Sequence, residues 1–281
     1  MTVDKKTDKV RFSIIHCADF DAYKDEHVTL TSSEDQINRE NRIVWPLNCY
    51  CVLVQHPVLG NVLFDTGIDS RWKTRWPRNL AEGYPVHQSF DLREKLLELG
   101  LHVDDIDMII LSHMHFDHAG NLWMFRGTKA GSRVIVQEEE ARHAFLCANR
   151  YDCAENVYRG DGYVRHEFNG LDGIAFELIR GDVKFAEDLE LVLLPGHTPG
   201  TMGLVVRTEH TGTAVFPSDA VYNHFNYGPP AMRPGMCARP VEFTESIEKV
   251  RRIVQGENGR LFYSHDVETF GDYKKSPEWY D

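Results

Sequence analysis

One segment stands out in this chain: Ser-His-Met-His-Phe-Asp-His-Ala-Gly, residues 112–120, which places three histidines and one aspartate within six residues. It directly follows Asp107–Leu111, a short apolar run typical of a buried strand. Imidazole nitrogens and carboxylate oxygens are common zinc ligands, whereas a protein core has to satisfy every polar group that it buries. We therefore interpret the polar side chains of the segment as metal ligands: His113, His115, Asp117 and His118.

Further ligands are expected from other parts of the chain, because four side chains from one tight turn do not surround a single ion well. The pattern His-x-His-x-Asp-His instead indicates two ligand sets that face two adjacent sites. Polar residues also follow other strand-like runs, and strands of one polarity would bring these side chains to one rim. The additional candidate ligands are His197, Asp219 and His265. Asp65, directly after the run Asn61–Phe64, is expected to orient a ligand imidazole.

Short β-rich runs recur along the chain and alternate irregularly with helical patterns. We predict strands at Arg11–His16, Tyr50–Gln55, Asn61–Phe64, Asp107–Leu111, Arg133–Gln137, Ile174–Ile179, Leu189–Leu194, Gly203–Arg207, Thr213–Phe216 and Arg260–Tyr263. We predict helices at Phe90–Leu99, Glu138–Ala148 and Val241–Gln255. This mixture favours layered sheets covered by helices over a purely parallel, doubly wound sheet. Because no low-complexity linker divides the sequence, we expect residues 1–281 to form a single domain.

The composition is that of a globular protein and narrows the classes of function. Of the residues, 42% are hydrophobic and 26% are charged, and the formal net charge of −12 disfavours nucleic acid or an anionic membrane as a partner. The N-terminal segment lacks the apolar run of a signal peptide, and no apolar stretch approaches the roughly 18 residues of a membrane span. We therefore expect a cytoplasmic protein that binds neither nucleic acid nor membranes. The six cysteines form no Cys-x-x-Cys pair, which favours buried thiols.

The histidine-rich segment and the later ligands together resemble the metallo-β-lactamase-fold hydrolases, and the resemblance covers nearly the whole chain. It implies a mixed α/β (α+β) fold, a four-layer αβ/βα sandwich in which two mixed β-sheets are flanked by helices and the metals lie at one edge between the sheets. It also implies which residues bind which ion. One Zn²⁺ would be held by His113, His115 and His197, the other by Asp117, His118 and His265, with Asp219 as the bridge.

Several branches of this superfamily differ from the sequence. Only a short segment follows His265, whereas glutathione thioester hydrolases carry a substantial helical region there. The β-lactamases of this fold are typically exported and usually differ in the Asp-His pair or the bridging position. Members that process nucleic acids need an electropositive surface, which a net charge of −12 does not offer. Diiron redox members usually have Glu at the position of His115 and carry a flavin domain. All four branches are therefore disfavoured.

Tyr222 favours one remaining branch. It lies three residues after Asp219 and resembles a tyrosine of the quorum-quenching N-acyl homoserine lactone lactonases, in which this side chain points at the metal centre. The ending built on Tyr263-Ser-His-Asp266 fits that branch too, although it also resembles the related pyridoxolactone hydrolases. We therefore expect a lactonase for N-acyl homoserine lactones, with another lactone or ester as the alternative. A sensor without turnover is disfavoured, because a decayed site would have lost at least one ligand.

The reaction expected at such a site is metal-assisted hydrolysis of the lactone. Two Zn²⁺ ions that share a water lower its pKa from about 15.7 toward roughly 7 and supply hydroxide at neutral pH. In this hypothesis Tyr222 stabilises the carbonyl oxygen as negative charge develops, and Asp117 passes a proton to the departing alkoxide. The same ligands also accept Mn, Fe or Co, because selection depends partly on availability.

Three aromatic, turn-rich segments are candidate insertions: Ile68–Ser89, Asn149–Gly173 and Val221–Ala238. Loops of this length are often binding lids, but their aromatic residues equally often complete a satellite core. We expect the apolar part of a substrate to contact side chains from these insertions: Trp72, Trp76, Phe225 and Tyr227. Exposed aromatic residues there would also make a homodimer unsurprising.

The chain has 14 histidines, and nine of them lie outside the motifs described above. A histidine without such a context is usually solvated or satisfied by ordinary hydrogen bonds. We expect no functional role for these nine: His16, His27, His56, His87, His102, His143, His166, His210 and His224.

Overall fold

Two β-sheets form the centre of the fold in the computed structural model, which describes residues 8–28, 43–149, 161–169 and 171–281. The first sheet has seven strands in the described residues, in the spatial order β4-β1-β2-β3-β5-β6-β7. Their bounds are β1 Arg11–Tyr23, β2 Val44–His56, β3 Gly60–Phe64, β4 Val86–Ser89, β5 Met108–Ile110, β6 Val134–Gln137 and β7 Phe176–Ile179. Pairing is antiparallel from β4 through β3 and parallel from β3 through β7, so the sheet is mixed.

The second sheet has five strands in the same part of the chain, in the order β12-β11-β10-β9-β8. Their bounds are β8 Val183–Ala186, β9 Leu189–Leu193, β10 Met202–Thr208, β11 Gly212–Phe216 and β12 Arg260–Leu261. Neighbours pair antiparallel except β11 and β12, which are parallel. It follows that β9, β11 and β12 run in one direction and end at the same edge of the sheet.

Helices cover the outer faces of both sheets. The α-helices of the described residues are Lys24–His27, Trp72–Arg75, Arg78–Gly83, Leu92–Glu98, Phe116–Ala119, Glu138–Asn149, Arg165–Phe168, His224–Tyr227, Pro240–Gly256 and Val267–Phe270. The longest, Pro240–Gly256, begins with proline, whose fixed φ suits the first helical turn. None of these helices has the length and the apolar character needed to cross a bilayer, within the residues that the structure describes.

Alternation along the strands divides the apolar residues into three packed layers. In β1, Ile14 packs between the two sheets, whereas Ile15 packs against the helices on the outer face of the first sheet. In β10, Val206 likewise lies between the sheets, and Val205 packs beneath the helix Pro240–Gly256 through residues such as Phe243. The resulting order is helices, sheet, sheet, helices. This is the four-layer αβ/βα sandwich that the resemblance implied.

The strand predictions are right for the apolar runs but miss two of the four edge strands in the described residues. The sequence analysis assigned no strand to Val86–Ser89, whose side chains are mostly exposed, or to Val183–Ala186, whose side chains are mostly half-buried. The segment Ile68–Ser89, interpreted as a turn-rich insertion, contains two short helices as well as β4. β1 also continues beyond His16 to Tyr23, because Phe20 and Ala22 keep one face of the strand buried.

The cysteine prediction is confirmed for three thiols of the first sheet. Cys17, Cys49 and Cys51 are buried and free, and Cys17 Sγ lies 3.0 Å from Cys51 Sγ. Cys153 and the rest of residues 150–160, together with residue 170, belong to the predicted insertion Asn149–Gly173 but lie outside the described residues.

Candidate metal centre

The histidine-rich segment forms a tight turn and short helix directly after β5, packed against the loop that follows β3. The backbone N–H of Thr66 donates to the carbonyl of His118 at 2.7 Å. Gly120 makes this close packing possible, since a Cβ there would lie 2.3 Å from the backbone nitrogen of Asp69. The turn is thereby fixed at the edge where the parallel strands β3 and β5 end.

The later candidate ligands reach the same edge because of strand polarity. β9, β11 and β12 run in one direction, and each is followed within a few residues by one of them: His197, Asp219 and His265. The two sheets therefore contribute ligand residues from opposite sides of one rim. The expectation of a common polarity for these strands is confirmed.

Three imidazoles form the first ligand group. His197 Nε2 lies 3.1 Å from His113 Nε2 and 2.9 Å from His115 Nδ1. All three side chains are buried. The backbone of Gly162 packs closely against the ring of His115, since an added Cβ at Gly162 would lie 2.5 Å from that ring. Three ring nitrogens thus converge on one point, as they do around an ion.

Two carboxylates and two imidazoles form the second ligand group. Asp117 Oδ2 lies 3.4 Å from His118 Nε2 and 3.3 Å from His265 Nε2. Asp219 Oδ1 lies 3.3 Å from His118 Nε2 and 3.1 Å from His265 Nε2. The four ligand atoms lie within 4.8 Å of one another.

Asp219 connects the two groups through its two oxygens. While Oδ1 faces the second group, Oδ2 lies 3.7 Å from His113 Nε2 and 3.5 Å from His197 Nε2 of the first. One carboxylate therefore presents an oxygen to each side, which is the geometry of a bridging ligand.

The polar atoms of the site fit a metal better than they fit one another. His118 Nε2 and Asp219 Oδ1 are enclosed and have no hydrogen-bond partner in the described part of the chain, although they lie 3.3 Å apart. Leaving buried polar atoms unsatisfied costs free energy, and a cation between them removes that cost. Imidazole and carboxylate ligands in two adjacent sets fit a dinuclear site for divalent metal ions.

In the metal-free protein the imidazoles fall into two classes, one with a lowered pKa and one with a raised pKa. Burial lowers the pKa of His113 and of His115 well below the usual value, so both rings favour the neutral form that binds metals. Burial also acts to lower the pKa of His118, but the nearby carboxylates, with Asp219 foremost, raise it well above its usual value. Burial acts to raise the pKa of Asp219, but His118 and His265 hold it well below the usual range.

The ring nitrogens that face away from the centre are anchored by hydrogen bonds. Asp65 Oδ2 lies 2.8 Å from His118 Nδ1, and His113 Nδ1 lies 3.0 Å from the hydroxyl of Ser112. His265 Nδ1 lies 2.6 Å from the backbone carbonyl of Asn48. Such contacts fix the tautomer and the orientation of a ligand ring.

Comparison with known proteins agrees with this geometry. Residues 44–265, which contain every candidate ligand, match the family described as the metallo-beta-lactamase superfamily. The chain belongs to this superfamily.

Two curated relatives are similar in sequence to this chain over most of its length. The N-acyl homoserine lactonase AiiB of Agrobacterium fabrum (strain C58) is 30% identical over 233 residues, which is 78% of this chain and 80% of the relative. The N-acyl homoserine lactonase of Bacillus thuringiensis is 29% identical over 240 residues, which is 83% of this chain and 86% of the relative.

Solved structures share the fold at lower identity. An N-acyl homoserine lactone hydrolase with the product N-hexanoyl-L-homoserine at its catalytic metal centre has a TM-score of 0.78 and 22% identity, and the match covers 98% of this chain and 100% of that one. AidC, a dizinc quorum-quenching lactonase, has a TM-score of 0.66 and 17% identity, with coverage of 94% and 90%.

Glu140 is a buried carboxylate next to the first ligand group. The sequence analysis did not single it out. Its Oε1 accepts from the backbone N–H of Met114 at 2.9 Å and from the Tyr163 hydroxyl at 2.8 Å. Its Oε2 accepts from the Thr198 hydroxyl at 2.5 Å. Met114 and Thr198 adjoin ligands of the first group, so Glu140 ties together the two loops that carry them. In the sequence it is one of three consecutive glutamates, and nothing there distinguishes it from the exposed Glu139.

Tyr222 lies at the first ligand group but behind one of its rings. Its hydroxyl lies 2.6 Å from His197 Nδ1, the nitrogen opposite the one that approaches His113 and His115. The backbone carbonyl of Met236 also lies near this nitrogen, at 3.1 Å. Burial raises the pKa of Tyr222 well above its usual value, so the hydroxyl stays protonated and can donate.

The aromatic residues expected to contact a substrate lie in different surroundings. Trp76 is buried, packs edge-on against Phe116 at 5.1 Å, and donates its indole N–H to Glu167, so it belongs to the packed core. Trp72 packs against Trp76 with its ring tilted by 53° and the ring centroids 5.8 Å apart, and its indole N–H donates to the Ser89 hydroxyl at 3.3 Å. Phe225 is 38% exposed and is the most accessible of the four, whereas Tyr227 packs near Tyr263.

Proposed function

We propose that this protein hydrolyses N-acyl homoserine lactones with a dinuclear metal centre. The observation that carries the proposal is the convergence of seven buried histidines and aspartates into two groups that Asp219 connects. The relative AiiB, named an N-acyl homoserine lactonase, supports the choice of substrate class at 30% identity. We further propose that residues 1–281 act as one domain, because both sheets supply ligands.

We assign one zinc ion to His113, His115 and His197 and a second to Asp117, His118 and His265, with Asp219 between them. The chemistry that such a pair of ions supplies when bound is Lewis acidity and a water-derived nucleophile near neutral pH. Buried neutral imidazoles suit this role, since a ligand nitrogen has to be free of its proton.

The residues of the chain have two further tasks in this reaction. Tyr222 is assigned to donate a hydrogen bond to the lactone carbonyl oxygen as negative charge develops there. The Tyr222 side chain has to move away from His197 Nδ1 to do so, and the carbonyl of Met236 remains near that nitrogen as its partner. Asp117 is assigned to carry the proton from the attacking water to the ring oxygen. The bond between carbonyl carbon and ring oxygen breaks, and the product is an opened hydroxy acid.

Acid release from a medium-chain N-acyl homoserine lactone tests the proposal. Zinc-loaded protein is expected to open the ring rapidly, and a chelator-stripped sample is expected to be inactive until zinc is restored. A zinc-loaded sample that binds its metals but releases no acid would contradict the substrate assignment. Other lactones and esters, including pyridoxolactone-like compounds, would then be assayed at the same metal loading. The cytoplasmic location and a homodimer stay predictions from the sequence.

A further inference from the structure

A second cluster of side chains that could bind a metal ion lies outside the dinuclear centre. Asp69, His166 and Glu167 each offer one ligand atom, and these atoms lie within 4.8 Å of one another. Asp69 and Glu167 are 0% and 2% exposed, and His166 is half-buried. Asp69 follows β3, while the other two lie on the short helix Arg165–Phe168, so the fold brings together residues almost a hundred positions apart.

The hydrogen bonds of the two carboxylates leave one side of the cluster unsatisfied. Asp69 accepts from Arg71 through both oxygens, at 3.1 and 3.0 Å, and from the indole N–H of Trp123 at 3.1 Å. Glu167 Oε1 accepts from the indole N–H of Trp76 at 3.1 Å. Glu167 Oε2 and His166 Nε2, however, are enclosed atoms that have no hydrogen-bond partner among the residues that the structure describes. Two buried polar atoms that make no hydrogen bond and lie beside a third possible ligand, Asp69, are rare in native proteins unless something binds them.

The charges of the cluster also favour a cation. Two carboxylates face one directly paired guanidinium, that of Arg71, so the buried group carries an uncompensated negative charge when both carboxylates are ionised. After burial, the positive charge of Arg75 is the next cause that lowers the pKa of His166, followed by Arg71, while Asp69 acts to raise it. Burying an unpaired carboxylate is costly, and a divalent ion at the open side would remove that cost.

We propose that Asp69, His166 and Glu167 form a third cation site, separate from the dinuclear centre. One imidazole with two carboxylates is a ligand set for Zn²⁺, Mn²⁺, Fe²⁺ or Co²⁺, whereas Mg²⁺ and Ca²⁺ favour oxygen ligands alone. The ligand class is therefore a divalent transition metal. The site uses only residues of this chain and does not depend on the substrate proposed above.

The position of the third site gives it a structural task. Trp76, which donates to Glu167, packs on Phe116 of the histidine-rich turn. The backbone of Gly162, four residues before His166, accepts from Phe116 N–H and lies against the ring of His115. An ion held between Asp69 and the helix Arg165–Phe168 would fasten this segment over the first ligand group.

Metal counting on the zinc-loaded full chain tests the proposal. After dialysis against buffered zinc, elemental analysis is expected to find about three zinc ions per chain, and about two in Glu167→Gln and in His166→Ala, since the two main ligand groups stay intact. His143→Ala removes another half-buried histidine from outside the cluster and is expected to keep all three. Two ions in the unmodified protein, or three in both cluster variants, would overturn the proposal.

A crystallographic measurement does not rely on the folding of any variant. Crystals of the zinc-loaded protein, measured at the zinc absorption edge, are expected to show an anomalous peak about 2.0–2.2 Å from His166 and Glu167. Peaks only at the dinuclear centre would overturn the proposal while leaving the proposed lactonase activity intact. A peak at the third site in a zinc-loaded protein that does not hydrolyse N-acyl homoserine lactones would contradict the proposed function alone.

Discussion

Asp65 Oδ2 lies 2.8 Å from His118 Nδ1, on the opposite side of the imidazole from the nitrogen that faces Asp117 and Asp219. The carboxylate is itself held by Ser112, whose backbone N–H donates at 2.7 Å and whose hydroxyl donates at 2.8 Å. Asp65 therefore fixes one ring of the second ligand group without entering that group.

The substitution Asp65→Asn is expected to weaken zinc binding at the second ligand group by roughly 10–100-fold. Asparagine tolerates the positive φ of 64° at this position, so the backbone keeps its shape while the negative charge behind His118 is lost. Zinc affinity is measured by competition with a chromophoric chelator. Asp19→Asn, which removes a carboxylate paired with His16 in β1, serves as the control. Equal affinity in both variants would show that Ser112 alone orients the ring.

The substitution Glu140→Gln is expected to lower the free energy of unfolding by about 2 kcal/mol or more, because one of three donors would then face an amide N–H₂ instead of an oxygen. Zinc at the first ligand group should be lost at lower chelator concentration, since the loops that carry His115 and His197 are no longer tied together. Urea unfolding and a chelator titration measure the two effects. Glu139→Gln, on the same helix but exposed, is expected to change either quantity little. Identical urea midpoints for the two variants would contradict the role given to Glu140.

The two candidate ligand groups could be predicted from the sequence because their residues follow strands. His113, Asp219 and His265 each come shortly after an apolar run, and strand polarity then brings such residues to one edge. The sandwich followed from the resemblance, not from the strand pattern alone. What the pattern itself missed were two edge strands: Val86–Ser89, whose side chains are mostly polar and exposed, and Val183–Ala186, which is only four residues long and mostly half-buried.

The supporting residues could not be predicted because their roles arise only in three dimensions. Glu140 and Glu167 become unusual through burial, and neither has a distinctive sequence neighbourhood. The same holds for two histidines expected to have no role. The ring of His27 packs with its centroid 4.7 Å from that of Tyr222, and Nε2 of His166 is enclosed and has no partner within the described ranges. The expectation for these two stays a prediction, whereas His56, His87 and His224 form ordinary pairs with aspartates.

The substitution Tyr222→Phe is expected to retain both zinc ions and to lower kcat by roughly 100–1000-fold, the cost of removing one donor to a developing oxyanion. The metals should stay because Met236 still offers a carbonyl to His197 Nδ1. Steady-state kinetics and elemental analysis on the same samples measure the two quantities. Should the variant lose metal in proportion to activity, Tyr222 would act by holding His197, and its assignment to the lactone carbonyl would be wrong.

The stability of the metal-free protein is expected to fall as the pH is lowered from 6.5 toward 4, and His27 should contribute to that fall. Burial, together with the nearby His265, lowers the pKa of His27 from 6.5 to about 4. In this interval the unfolded chain binds a proton at His27 and the folded chain does not, so lowering the pH favours unfolding. For one such group the slope reaches about 1.4 kcal/mol per pH unit.

Urea unfolding at several pH values, with wild type and His27→Gln both in chelator, measures this contribution. The variant loses packing against Tyr222 and is expected to be less stable at every pH, so the slopes are compared instead of the absolute values. Its stability should decline less steeply below pH 6.5 than that of wild type. His210→Gln, which removes an exposed histidine, should follow the wild-type slope. Parallel curves for His27→Gln and wild type would show that His27 takes up its proton in the folded protein as readily as in the unfolded chain.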